Sequence, residues 1–182
     1  MSSNYVEQAS QLLLEPTGLT ENDLQSTLDI IMHHSIDSAD IYCQASQHES
    51  WILDDGIIKE GSFNIDQGVG IRAVSGEKTG FAYSDEIILP ALNQAADAAK
   101  SIARAGQQNQ VQVWKKHSSH QLYLPIDPLD SLTTDEKINL LKQVDAEARK
   151  QDPRIKQVIA SLVGVHEVIL VAASDGTLNA DV

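Results

Sequence analysis

The chain has 182 residues, enough for one compact domain or two small ones, and its 42% hydrophobic and 21% charged content is ordinary for a soluble globular protein. Its formal net charge is −13, and its tightest basic clusters are the dipeptides Lys115-Lys116 and Arg149-Lys150, which argues against direct binding to a nucleic-acid backbone. No apolar run approaches the ~20 residues of a membrane helix, MSSNYVEQAS has neither the basic nor the apolar region of a signal peptide, and a single cysteine, Cys43, permits no intrachain disulfide, so a cytoplasmic protein is expected.

Residues 4–14 read as a short helix with Val6, Ala9, Leu12 and Leu13 on one face, closed by Pro16 and Gly18. Thr20 has the character of an N-cap, because Glu21 and Asp23 place negative charge in the turn that follows. Leu24, Leu28 and Ile31 then recur at helical spacing to about His34, giving a helical arm over 4–34.

Strand character begins near Asp40, where Ile41, Cys43 and Ala45 alternate with Tyr42, Gln44 and Ser46. From His48 to Asp85 the chain reads HESWILDDGIIKEGSFNIDQGVGIRAVSGEKTGFAYSD, with tight turns predicted at Asp55-Gly56, Gln67-Gly68 and Ser75-Gly76. The prediction is an antiparallel meander over 40–84, with strands at 41–53, 57–66, 69–74 and 78–83. Val69, Ile71 and Ala73 share a face opposite Arg72, and Thr79, Phe81 and Tyr83 share a face opposite Ala82. A helix over 89–105 follows, with Pro90 in its first turn, Gly106 as terminator and a narrow stripe of Leu92, Ala95, Ala96, Ala99, Ile102 and Ala103 suited to lying close on a sheet.

Composition shifts at Gly106–Gln110, a polar linker sequence, and Pro125 and Pro128 punctuate an irregular stretch. Thr133 and Glu136 form a capping box for a helix over 133–150, whose apolar positions are Ile138, Leu141, Val144 and Ala148. Strands are predicted over 155–163 and 166–173 around a turn at Gly164, with a further turn at Asp175-Gly176. The expected fold class is α+β: an antiparallel β-meander packed with helices, then a second, truncated α/β segment with a β-hairpin. The expected domains are 1–106, a linker over 107–130, and the start of a middle domain over 131–182. The strand from Thr177 runs out at Val182, so a fragment of a longer protein is expected, or a sheet completed by another chain.

No complete catalytic constellation is legible. A helical zinc site needs His-Glu-x-x-His, so that two histidines share a helix face. The fourth positions after His48-Glu49 and His166-Glu167 are Ile52 and Leu170, the fifth are Leu53 and Val171, and both pairs lie in strand sequence. His33-His34 suits a helix C-terminus, and His117 and His120 have no neighbouring carboxylate or thiol. Cys43 lies on an apolar face and reads as buried rather than nucleophilic. Asp54-Asp55, Asp127 and Asp130 lie at turns, where Asp bonds local backbone. The glycines Gly68, Gly70, Gly76 and Gly80 form no phosphate loop. Trp51, Trp114, Phe63, Phe81, Tyr83 and Tyr123 are core, interface or groove residues.

The run from Asp54 to Asp85, with SLVGVHEVILVAASDGTLNADV and the intervening Asp127-Pro128-Leu129, resembles the N-terminal part of the TldD/PmbA (TldE) family over almost the whole chain. The resemblance implies a relation to zinc metallopeptidases that cleave small unfolded peptides, work as dimers with a PmbA/TldE-like paralogue or with themselves, and were first named for modulation of DNA gyrase. The family's zinc motif, His-Glu-x-x-x-His, belongs to a C-terminal domain and is absent from this sequence. The expectation is therefore a non-catalytic N-terminal portion with no catalytic, cofactor-binding or metal-ligating residue of its own. Zinc belongs to the full-length protein, and the portion contributes to the substrate cavity and dimer interface. The alternative is a free-standing interaction or regulatory module that pairs with a family partner.

Overall fold

The computed structural model describes residues 3–32, 36–103, 115–116 and 126–182. Helices α1 (Ser3–Leu13) and α2 (Glu21–Met32) precede strands β1 (Ser38–Asp54), β2 (Ile57–Ser75) and β3 (Lys78–Ser84). Helix α3 (Leu89–Ala103), the short strand β4 (Lys115–Lys116), helix α4 (Thr134–Gln151), β5 (Ile159–Ala173) and β6 (Thr177–Asp181) follow. The strands form one sheet in the order β3-β2-β1-β5-β6-β4. β3 pairs antiparallel with β2, and β6 antiparallel with β5, while β4 runs parallel to β6. The fold is α+β, an antiparallel meander with helices, as the sequence predicts.

The chain forms two compact units, one of Met1–Ala45, Asp66–Pro125 and Glu167–Val182, the other of Ser46–Ile65 and Ile126–His166. In the first, period-two burial turns Ile41 and Cys43, Val69, Ile71 and Ala73, Leu170 and Ala172, and Leu178 and Ala180 into one core. Leu24, Leu28 and Ile31 of α2 and Leu92, Ala96 and Ala99 of α3 belong to the same core. Each fully buried Leu or Ile there stabilises the unit by about 1.5–3 kcal/mol relative to exposure. The alanine stripe of α3 has its partner in Gly80, whose absent Cβ would stand 2.0 Å from the carbonyl oxygen of Ala99. Polar bonds then fasten the strand ends. The Ser174 amide donates to the Ala39 carbonyl at 2.8 Å and the Ala39 amide to Ser174 Oγ at 3.0 Å. Asp37 Oδ2 accepts the Gly76 amide at 2.5 Å, holding the β2–β3 turn.

In the second unit the β1–β2 hairpin turns at Asp55-Gly56, both at positive φ (52° and 76°), as a two-residue hairpin loop requires. Thr133 and Glu136 make the predicted capping box at α4, with the Thr133 amide donating to Glu136 Oε2 at 2.8 Å. Leu53, Leu129 and Leu141 are its buried apolar side chains.

Two predicted turns are corrected. Gln67-Gly68 and Gly164 lie inside continuous strands, β2 and β5, so the strands expected at 57–66 and 69–74 are one, and 155–163 and 166–173 merge into Ile159–Ala173. Both glycines serve close approach instead: a Cβ at Gly68 would meet Ser84 O at 2.8 Å, and one at Gly164 would meet Leu129 Cδ2 at 2.5 Å. The terminator assigned to Gly106 and the helix end at His33-His34 fall outside the described residues.

Gly80→Ala should cost about 3 kcal/mol or more, because the added carbon displaces a helix backbone. Gly76→Ala, at φ 57° with open space around it, should cost only about 1–2 kcal/mol. Denaturant midpoints compare the two, and equal losses would show that α3 tolerates the extra atom.

Candidate functional site

The two His-Glu pairs have separate surroundings. His48 is exposed. Glu49 turns into the second unit and pairs with Lys137, Nζ to Oε2 at 2.6 Å. His166 Nδ1 lies 3.4 Å from Asp127 Oδ2, and its buried Nε2 has no partner among the described residues. Glu167 is exposed and accepts a hydrogen bond from Gln44 Nε2. Among the described residues no three His, Cys, Asp or Glu side chains converge to hold a metal ion. His33, His34, His117, His120, Trp114 and Tyr123 lie outside the described residues.

The polar centre of the second unit is one that sequence reasoning missed. Helix α4 buries Lys137, Leu141 and Asp145 along one stripe, whereas Val144, expected on the apolar face, is 47% exposed. The helix is rotated because its polar side chains find partners. Lys137 Nζ donates to Glu49 Oε2 and to the Leu129 carbonyl, both at 2.6 Å, and Trp51 Nε1 donates to Glu49 Oε1 at 2.5 Å. Lys137 and Glu49 side chains are only 10% and 12% exposed, so each needs the other to offset lost hydration. The Lys137 ammonium, followed by the Trp51 indole, holds the Glu49 carboxyl below the usual carboxylate range, against the opposing effect of burial.

A second network closes the hairpin tip. Arg149 Nε donates to Asp145 Oδ2 at 3.1 Å, and its Nη2 donates to Asp55 Oδ1. The Asp55 amide donates to the Val158 carbonyl at 2.9 Å, and Asp54 Oδ1 accepts Gln157 Nε2 at 2.8 Å. These carboxylates therefore tie the tip to distant segments rather than to local backbone alone. Asp127 does bond locally, accepting the Leu129 amide at 2.8 Å.

In the first unit Cys43 is fully buried, and burial pushes its thiol up to about 12, so it carries no thiolate at neutral pH. The sheet face away from the core holds the aromatic residues. Phe81 and Tyr83 stack with centroids 6.4 Å apart, and Tyr42 is exposed on the same face. Burial, then the nearby Glu167 carboxylate, raises the Tyr42 phenol above its ordinary value.

Lys137→Met should lower the unfolding free energy by about 3 kcal/mol at neutral pH, since it strands a buried carboxylate. Glu49 titrates below its unfolded value, so the pair's stabilisation is complete above about pH 5 and is lost as pH falls through the depressed folded value. The difference between parent and variant in urea midpoint should shrink on acidification. A constant difference would show that Lys137 acts by packing alone.

Residues 39–103 match the family model described as PmbA/TldA metallopeptidase domain 1, and residues 127–182 match the PmbA/TldA metallopeptidase central domain. A metalloprotease TldD homologue of Haemophilus influenzae is 51% identical over 97% of this chain, and one of Buchnera aphidicola subsp. Schizaphis graminum is 42% identical over 97%. The chain spans 37% of the length of each. Solved structures share the fold at low identity. A proposed modulator of DNA gyrase from Thermotoga maritima has TM-score 0.69 at 15% identity, covering 88% of this chain and 36% of that one. TldE from Thermococcus kodakarensis has TM-score 0.61 at 16% identity, covering 87% and 37%. With both domain models matched in order and half the residues identical to a TldD homologue, the chain belongs to the PmbA/TldD metallopeptidase family.

Proposed function

We propose that these 182 residues form the N-terminal, non-catalytic portion of a TldD-like zinc metallopeptidase that cleaves small unfolded peptides in the cytoplasm. The observation that carries this reading is the match to the first and central domains of the family, in order, over 39–103 and 127–182. The sequence contains no His-Glu-x-x-x-His, so no catalytic, cofactor-binding or metal-ligating residue is assigned to it, and zinc is proposed for the full-length protein alone.

The portion's role is to contribute to the substrate cavity and to a dimer interface with a PmbA/TldE-like paralogue or a second copy. Support comes from the second unit, where Phe63, Ile65, Val163 and Val165 are 55%, 60%, 64% and 47% exposed around a small core. Apolar surface of that kind marks a place where further protein packs. The same side chains support the alternative, a free-standing module that pairs with a family partner.

The purified chain, supplied with zinc, should leave an unstructured peptide uncut over hours, as read by mass spectrometry. Chelator-sensitive cleavage would overturn the non-catalytic reading. Light scattering of the chain with and without a PmbA-like protein tests the pairing, and a strict monomer indifferent to that protein would count against it.

A further inference from the structure

Among the described residues β3 is the last strand on its side of the sheet. In an antiparallel ladder alternate residues of an edge strand turn both backbone groups away from their neighbour, so about three residues of β3 present unpaired N–H and C=O groups outward. Proteins blunt such edges with proline, bulges or charge. Lys78–Ser84 contains no proline, and its register with β2 runs unbroken from Val69↔Ser84 to Ser75↔Lys78. Its inner face is sealed where Gly80 meets α3. Its outer face carries the stacked Phe81 and Tyr83, 59% and 74% exposed. An edge strand in unbroken register, with no neighbour on its outer side among the described residues and apolar side chains beside it, meets the requirements of strand addition, in which backbone bonds supply affinity and side chains supply selectivity.

Charge selects the occupant. Exposed carboxylates flank the edge, Glu77 before it and Asp85 and Glu86 after it, and Lys78 is the one cationic residue within the strand. A second copy pairing through this edge would bring the same carboxylates against them and be repelled here. We infer that the β3 edge, Lys78–Ser84, is a docking surface for an extended, cationic segment of another protein, which adds a seventh strand to the six-stranded sheet and lays apolar side chains on Phe81 and Tyr83. This surface is independent of whether the chain takes part in peptide hydrolysis.

The test titrates the full chain with a fluorescent peptide of alternating valine and threonine flanked by lysines. Two companions are an analogue with glutamates in place of the lysines and a pair N-methylated at alternate amides, one for each edge of the peptide. The lysine peptide should bind saturably, and more weakly as salt rises from about 50 to about 500 mM. The glutamate peptide should bind at least about tenfold more weakly, and one N-methylated peptide should lose binding while its sibling keeps it. The double variant F81S/Y83S should lose about tenfold in affinity while still melting cooperatively.

Absence of binding by the lysine peptide would overturn the proposal, as would equal binding by both N-methylated forms or by the double variant. A dimer of the chain that F81S/Y83S dissociates would overturn the choice of a cationic partner in favour of self-association. Hydrolysis plays no part in these readouts, so their failure and that of the proposed function are distinguishable.

Discussion

An ammonium group nearly excluded from water has to be answered by acceptors, and in the second unit Lys137 is answered from two directions. Glu49 comes from the β1–β2 hairpin, and the Leu129 carbonyl comes from the turn before α4. One side chain thus fastens its own helix to two other segments, in a unit whose buried apolar side chains are Leu53, Leu129 and Leu141. Hydrophobic burial is tolerant of small slips, whereas a buried ion pair is not: shifting α4 by one residue would strand both charges. At the hairpin tip Arg149 links Asp145 of its own helix to the exposed Asp55, a contact that water screens.

The first unit is held by other means. Its core is apolar on both sides of the sheet–helix contact, and its specificity comes from shape, with the alanines of α3 and the missing side chain of Gly80 setting how closely the helix lies. Polar bonds there fasten strand ends and turns, through the exposed Asp37 carboxylate and the buried Ser174 hydroxyl. The opposite sheet face keeps Arg72 paired with Asp40 at 2.7 Å beside exposed aromatic rings, a mixture that water tolerates and a partner can use.

Much of this was legible in sequence because it is local. The capping box at Thr133 depends on residues three apart, the Asp55-Gly56 turn on two neighbours, and the shared face of Phe81 and Tyr83 on simple alternation, although which way that face points was not legible. Glycine misled at Gly68 and Gly164 because the residue that permits a turn is also the residue that admits a close neighbour, and only the neighbour's position tells them apart. The buried face of α4 was misjudged for a related reason. Lys137 and Asp145 read as solvent-facing until their partners are known, and Glu49 lies 88 residues from Lys137 while Asp55 lies 94 from Arg149. No periodicity reports a contact at that separation. The pairing of β5 with β1 is of the same non-local kind.

Cys43 has a consequence beyond its inertness. It is the protein's one thiol, fully enclosed in the core of the first unit on an interior strand. A disulfide reagent can reach it only when that core opens, so the rate of its modification under native conditions reports the opening of the sheet itself. With burial holding the thiol near 12, reaction in the closed state is negligible at neutral pH, and the protein carries its own clock for the stability of the unit that α3 and Gly80 close.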